Sequence, residues 1–529
     1  MDIEELKQAI ELSQNGNVKE AEEIYIRLLD EYPDNGILLS AAGLFYVGTG
    51  DYNKAIDYLK QSCNIKETLG TVSALGFAYY KIKDYENAAK TLEHALEFGE
   101  NIDIYNQLIL SLFEIKKYKK AIDLTDKMNE LYPNHPKSVE NRIKSLTQQG
   151  KMLEAEKECI EFLKKNPHES SLWYHLGLLK ELIYSDDLRA IECYKVAGEL
   201  GNLGADYNIG VAYHKLGEYD KAEEYYKKFL KNFPNDDTCI TSLGMCYLSQ
   251  KKFNEGYEQF YNRTKGKTEK YTKNLWKIKT PLDKRLVIIC DQGYGDHIQF
   301  IRYIPFLKEH EIEVAVGKQL KGLFEYNYPN IKFINYDEIN PETQAVRITD
   351  LAYVLGMDFD NIPFAEGYLN VNPANIDNEK LKVGLCWEAG SAGIRGMINR
   401  TIHVKSFEPL FNMTNIQLYS FQVLDSFNGN EKYSDKMIIL SKDFKNFTDT
   451  AQALKSMDIV VSVDTCVAHL AGALGVPTCL LLPYTTDWRW FDCTKETPWY
   501  KSVQIFKQNN SISWEEAINS VAAKIKSML

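Results

Sequence analysis

The sequence has no uninterrupted apolar stretch approaching the roughly 18 residues that a membrane-spanning helix needs. Its start, Met1-Asp2-Ile3-Glu4-Glu5, lacks the basic and apolar regions of a secretory signal, and the expectation is a cytoplasmic protein. Cationic excess is missing as well. Lysine and arginine total 62 against 74 aspartates and glutamates, a net charge of −12 with a pI near 5.5, so nucleic-acid binding through a dominant positive field is disfavoured. The ten cysteines include no Cys-x-x-Cys pair, which leaves neither a zinc site nor a disulfide framework indicated. The closest two, Cys239 and Cys246, are expected on one helix, and small buried thiols in a reducing compartment account for the set. Compositional bias is absent too. At 44% hydrophobic and 26% charged residues, a collagenous, mucin-like or wholly disordered chain is excluded. A length of 529 residues implies about three folded units rather than one core.

What is present first is a repeat. Gly16-Asn17-Val18-Lys19-Glu20-Ala21 is answered by Gly50-Asp51-Tyr52-Asn53-Lys54-Ala55, and the register continues through segments ending at Ala88, Ala121, Ala155, Ala190, Ala222 and Gly256. These final positions lie 34, 33, 33, 34, 35, 32 and 34 residues apart, which implies eight units. An upstream Leu/Ile-Gly-x-x-Tyr stands at Ile209-Gly210 with Tyr213 and at Leu243-Gly244 with Tyr247, and prolines close units at Pro33, Pro133, Pro167 and Pro234. On these residues the segment 1–261 resembles tetratricopeptide repeats. Physically, the small residues let paired helices approach, the aromatics fill the space between pairs, and the prolines stop the second helix. The resemblance implies an α-solenoid whose groove binds a protein partner; the plainer use is packing on the chain's own catalytic part or dimerisation. Trp173 and Tyr174 read as repeat core.

The second half changes character. Residues 262–280 are polar and basic and read as a connector or short helix. Beyond them come apolar runs at 286–290, 312–316, 382–387, 416–420, 459–463 and 478–482, bounded by Gly, Asp and Pro. Such Val/Ile/Leu runs alternating with helical segments describe buried parallel strands. A break at Val371-Asn372-Pro373-Ala374-Asn375 divides this α/β part into lobes at 281–375 and 376–529. Lysine and arginine number 9 against 16 acidic residues over 281–380, but 15 against 14 over 381–529. A nucleotide diphosphate sits more comfortably on the second lobe.

Two motifs stand where strands end. Asp291-Gln292-Gly293-Tyr294-Gly295-Asp296-His297 follows one strand and opens a helix. Gly293 and Gly295 allow a tight turn and close approach to a ligand, and Asp296 fits either a helix cap or a general base facing a cleft. Ser462-Val463-Asp464-Thr465 closes another strand and leads into a helix carrying His469, four residues after Thr465 and on the same face. Any one of these fits a cap or a core histidine; together, in an otherwise Ala/Gly-rich stretch, they point to a binding site.

The Gly-x-Gly-Asp segment at 293–296, the Asp464-Thr465-x-x-x-His469 segment with Ala471-Gly472-Ala473-Leu474-Gly475-x-Pro477, and Asp487-Trp488-Arg489-Trp490 with Pro498-Trp499-Tyr500 resemble heptosyltransferase-related (family 9-type) GT-B glycosyltransferases carrying an N-terminal tetratricopeptide array. The resemblance implies two Rossmann-like lobes, an acceptor side at 281–375 and a nucleotide-sugar side at 376–529, with inverting, metal-independent transfer and no cofactor. It gives Asp296 the role of acceptor-activating base and assigns Asp464, Thr465 and His469 to the donor. The Gly390–Gly396 loop leading to Arg400 and Thr401 would meet the phosphates, with Arg400 as the charge partner of the leaving diphosphate. Gln422, at a strand end, is a nucleotide contact or a turn-stabilising glutamine. Asp487, Arg489 and Trp490, like Trp387 and Glu388, either line the cleft or pin the fold. The first lobe is short for a GT-B lobe.

The expected function is a glycosyltransferase moving a sugar from a nucleotide donor to a protein recruited by the repeats. The alternatives are transfer to a saccharide or lipid-linked glycan, and an inactive repeat scaffold.

Overall fold

The computed structural model describes residues 3–261, 268–389, 400–422, 431–491, 493–509 and 513–529. Sixteen α-helices, from α1 (Ile3–Gln14) to α16 (Phe253–Phe260), form antiparallel pairs that make the tetratricopeptide solenoid. Their starts are written locally. The Asn35 side chain accepts from the Ile37 and Leu38 amides at 3.1 Å, and Asp51, Asp84 and Asp236 cap their helices in the same way. Pairs close through small residues. A Cβ at Gly210 would stand 2.7 Å from the Tyr226 ring, and one at Gly244 would stand 2.5 Å from the Phe260 nitrogen, so glycine alone permits these approaches. Trp173 is partly buried against the core of its own repeats and donates its indole N–H to the Pro167 carbonyl at 2.8 Å.

The chain divides into compact units at 1–205 and 206–529. The first contains six helix pairs. Its repeats carry a groove of about 510 Å³ lined by Leu69, Ser73, Phe77, Asp103, Ile104 and Gln107, among others. The second unit contains the last two pairs, α13 (Ala205–Lys215) with α14 (Tyr219–Asn232) and α15 (Asp237–Ser249) with α16, together with the whole α/β part.

Among the described residues the α/β part holds two sheets whose strands pair with one another in parallel. In the first, β1 (Arg285–Ile289), β2 (Glu311–Ala315), β3 (Lys332–Ile334) and β4 (Gln344–Arg347) run in the order β3-β2-β1-β4. In the second, β5 (Leu381–Cys386), β6 (Ile416–Ser420), β7 (Ile438–Ile439), β8 (Ile459–Val463), β9 (Thr478–Leu482) and β10 (Val503–Lys507) run in the order β10-β9-β8-β5-β6-β7. The helices among them are α17 (Tyr294–Phe300), α18 (Lys318–Asn327), α19 (Leu351–Val354), α20 (Glu408–Phe411), α21 (Phe447–Lys455), α22 (Cys466–Ala473) and α23 (Glu515–Lys526). The described part of the connector lies along β4: the Lys273 amide donates to the Pro341 carbonyl at 2.9 Å and Trp276 to Ala345 at 2.7 Å. None of the described helices is long and apolar enough to cross a membrane.

One hydrophobic core runs from the last repeat into both sheets. Phe253, Tyr257 and Phe260 of α16 share it with Leu286 and Ile288 of β1, Val460 of β8, and the Trp488–Phe491 segment. Phe253 meets Phe491 at 5.5 Å and Phe260 meets Trp488 at 5.4 Å between ring centroids. Arg302, fully buried, ties the lobes together. It donates to the Gln299, Pro363 and Trp499 carbonyls and to the Tyr368 hydroxyl, so a buried charge is met by four acceptors. Phe260→Ala should therefore destabilise the α/β part, not only the repeat, by about 3–5 kcal/mol. Chemical denaturation followed by near-ultraviolet circular dichroism of the α/β tryptophans will show it; an unchanged α/β transition would refute the shared core.

Candidate functional site

The carboxyl ends of β1, β5 and β8 face one cleft of about 570 Å³ inside the second unit. Residues Gln292–Asp296 line it from the first lobe, and Glu388, Ala389, Arg400, Asp464–Cys466, His469 and Asp487–Arg489 from the second. Thr241 and Met245 of α15 and Phe260 of α16 complete the wall.

The β1–α17 turn places Asp296 in the first turn of α17. Its Oδ2 accepts the Gly293 amide at 3.2 Å while its Oδ1 accepts from the Arg489 side chain. The carboxylate therefore both caps its helix and faces the cleft. A Cβ on Gly295 would stand 3.0 Å from His469 Cδ2, so this glycine lets α17 close on α22. The neighbouring Asp291 does not join Asp296; its Oδ1 accepts the Thr349 hydroxyl at 2.7 Å.

At the end of β8, Thr465 rather than Asp464 caps α22, its Oγ1 accepting the Val467 amide at 3.1 Å. That leaves Asp464 for the cleft. Only 3% exposed, it accepts from Arg400 Nη1 at 3.0 Å and lies 3.7 Å from His469 Nε2. Burial raises the Asp464 carboxyl above its ordinary range, and the Arg400 charge only partly offsets this. His469 stacks on Trp490 at 5.2 Å and its Nδ1 is 3.0 Å from the Tyr500 hydroxyl. Burial pushes this imidazole down to about 3, so it works as a neutral hydrogen-bonding group at ordinary pH.

Arg489 joins the two halves. Its Nη1 donates to Asp487 Oδ1 at 2.6 Å and its Nε to Asp296 Oδ1 at 2.8 Å, and its guanidinium lies 4.7 Å from the Trp488 ring centre. Burial acts to lower its affinity for the proton, but the Asp296 and Asp487 charges overcome this and raise it. Burial likewise works to raise Asp487, yet the Arg489 charge holds it below its ordinary range.

The structure thus collects Asp296, Gly293, Gly295, Arg400, Asp464, Thr465 and His469 around one cleft. Thr401 and Gln422 are spent beside it. The Thr401 hydroxyl donates to the Ala389 carbonyl at 2.9 Å and accepts from the Ala389 amide. Gln422 Oε1 accepts the Trp387 and Glu388 amides at 3.2 and 2.9 Å, which is the turn-stabilising use. Residues 390–399 of the glycine loop lie outside the described residues. Of the groups given second rank in the sequence, Asp487 and Arg489 are central, signalled by their charged-aromatic run. Thr241, Met245 and Phe260 were missed, because in the sequence they are ordinary repeat positions.

Residues 441–525 match the profile of glycosyltransferase family 9 (heptosyltransferase), and 6–66, 73–98 and 207–236 match tetratricopeptide-repeat profiles. The chain is 23% identical over 434 residues to the protein named FlbA of Caulobacter vibrioides, covering 71% of this chain and 70% of that one. Among solved structures, it is similar to a tetratricopeptide repeat protein from Parabacteroides merdae, with a TM-score of 0.43, 16% identity, and 46% of this chain and 97% of that chain covered. A second, a thermophilic tetratricopeptide protein of Thermus thermophilus, has a TM-score of 0.32 and 18% identity over 34% of this chain and 100% of that one. The chain thus carries tetratricopeptide repeats and a C-terminal glycosyltransferase family 9 domain. The matched span includes Asp464, Thr465, His469, Asp487 and Arg489 but not Asp296, Arg400, Thr401 or Gln422.

Three buried histidines set an acid limit on the second unit, His297 of α17 among them, since burial lowers it as well. Burial pushes His469 down to about 3 and His214, on α13, down to about 4. Below the unfolded value near 6.5 the unfolded chain binds protons that the folded chain does not, so stability falls as pH drops. At pH 5.5 each of His469 and His214 costs on the order of 1 kcal/mol relative to pH 7.5. The melting temperature of the second unit should fall over this interval, and the His214→Gln/His469→Gln double variant should fall less. Equal losses in both proteins would show these two imidazoles to be irrelevant.

Proposed function

We propose that the cleft transfers a sugar from a nucleotide-sugar donor to a protein acceptor presented by the repeats, with inversion and without a metal ion. The observation that carries this reading is the convergence of Asp296 with the Arg400–Asp464–His469 group on one cleft. The reaction needs an acceptor hydroxyl to attack the anomeric carbon as the bond to the diphosphate breaks. Its proton goes to Asp296, and the bonding electrons leave on the diphosphate. Arg400, the Thr465 hydroxyl and the amides at the start of α22 other than that of Val467 are the groups available to meet that charge. Asp464 holds Arg400 in place, and the neutral His469 offers a hydrogen bond rather than charge.

A protein acceptor is favoured by the wall that the last repeat builds. Thr241 and Met245 stand four residues apart on α15, on one helical face, and with Phe260 they give the cleft an uncharged side. A saccharide acceptor asks for polar and charged partners around its hydroxyls; an extended polypeptide offering one serine, threonine or similar hydroxyl does not. The groove along α5 (Leu69–Lys81) and α7 (Ile102–Glu114) in the first unit offers further contact surface for a polypeptide.

A thermal-shift panel of ADP, UDP, GDP, CMP and CDP tests the donor side. One of these at 100 times its dissociation constant should stabilise the second unit by about 2.7 kcal/mol, and Asp464→Ala should lose that shift. Intact protein modification in cells carrying Asp464→Ala with His469→Ala would overturn the enzymatic reading. On the acceptor side, Met245→Arg should abolish modification while preserving the nucleotide shift; loss of both together would place Met245 with the donor instead.

A further inference from the structure

Arg489 holds two carboxylates at once. Nε and Nη2 both donate to Asp296 Oδ1, and Nη1 donates to Asp487 Oδ1. Asp487 is itself fixed, because the same Oδ1 accepts the Arg489 backbone amide at 3.1 Å. The guanidinium is therefore anchored on its own segment through Asp487 and reaches across the cleft to Asp296 on the other lobe. Three of its five N–H groups are used in these bonds, so two remain for a further acceptor.

Acids outnumber cations along the described lining of the cleft, where Arg400 and Arg489 stand against Glu388, Asp296, Asp464 and Asp487. Arg400 is already on Asp464 at 3.0 Å. A nucleoside diphosphate brings further negative charge into a space walled by buried carboxylates, and such charge is tolerated only when paired. Guanidinium groups bind phosphate oxygens through parallel N–H bonds. Arg489 lines the same cleft as Thr465 and Cys466 at the start of α22.

We propose that Arg489 is shared between Asp296 and the donor diphosphate: pivoting on Asp487, it leaves Asp296 for the phosphates when the donor binds. The proposal rests on reading this cleft as a nucleotide-sugar site. It gives Arg489 two functions, as a diphosphate ligand and as a positioning residue for the base. Before the donor arrives, the Asp296 oxygen that would take the acceptor's proton is occupied by Arg489; afterwards it faces the acceptor. Donor therefore binds before a productive acceptor.

The test is a thermodynamic cycle in the full-length protein, with ADP, UDP, GDP and CDP titrated calorimetrically at constant pH and ionic strength. If Arg489 is shared, removing its competitor tightens binding: Asp296→Asn should bind the preferred diphosphate about five- to tenfold more strongly than wild type. Arg489→Gln should bind it at least about tenfold more weakly. In the Asp296→Asn/Arg489→Gln double variant the gain from Asp296→Asn should shrink to within about twofold, since it acts through Arg489. Should Arg489→Gln lack a cooperative melt, Arg489→Lys replaces it; a lysine keeps the charge but cannot fork to two partners, and the gain should again shrink. An unchanged or weakened affinity in Asp296→Asn, or the same gain with and without Arg489, overturns the sharing while leaving the donor site in place. If wild type binds none of the four at millimolar concentration, the nucleotide-sugar reading falls and the proposal with it.

Discussion

Charge pairing inside the second unit is the constraint on which the cleft depends. Asp296, Asp464 and Asp487 are all largely withdrawn from water, and each is held by Arg400 or Arg489. Unpaired, a carboxylate so placed costs several kcal/mol. The end of β1 is thereby held to the segment after β9 by the Asp296–Arg489 pair, whose two side chains come from separate lobes. The cluster is also poised electrostatically. Burial drives the Asp464 carboxyl up while Arg489 drives Asp487 down, so two aspartates of one cleft differ in character because their cations differ.

Around the charges lies a shell of rings that cannot easily move. His469 is stacked on Trp490 and bonded to Tyr500. The Arg302 guanidinium lies 4.9 Å from the Tyr500 ring centre and is bonded to the Trp499 carbonyl. Gly472 fits this shell because a Cβ there would stand 2.5 Å from the Tyr500 ring. The two lobes meet through the close approach of α17 to α22 at Gly295 and His469 as well as through the Asp296–Arg489 ion pair. Rigid packing of this kind keeps polar groups aimed at one point without the reorganisation that water would require.

The final repeat belongs to this architecture and is not a detachable accessory. Phe253, Tyr257 and Phe260 are core residues of the α/β part, Tyr261 stacks under the buried Arg347 guanidinium at 4.2 Å, and Thr485 donates to the Lys215 carbonyl at 2.6 Å. Helices that in a free-standing solenoid would end on a polar cap end here on a sheet. The consequence for function is that the last repeat borders the cleft directly.

Both architectures are legible in the order of amino acids. A 32–35-residue period with glycine at close helix contacts specifies paired helices, because only stacking buries their faces. Long Val/Ile/Leu runs specify buried parallel strands, and six of the ten described strands were legible for that reason. β3 and β7 are too short to carry a period, β4 begins and ends on polar residues that happen to be buried, and β10 is an edge strand that alternates. Strand-end motifs likewise located Asp296, Asp464, Thr465 and His469, since loops at the carboxyl ends of parallel strands converge. Which groups touch is settled by the packing of the folded chain. That Arg489 bridges Asp296 and Asp487, that Gln422 holds a turn, and that Thr241 and Met245 border the cleft all depend on side chains far apart in sequence. No local pattern encodes such pairings; they arise when burial brings charges together and forces each to find a partner.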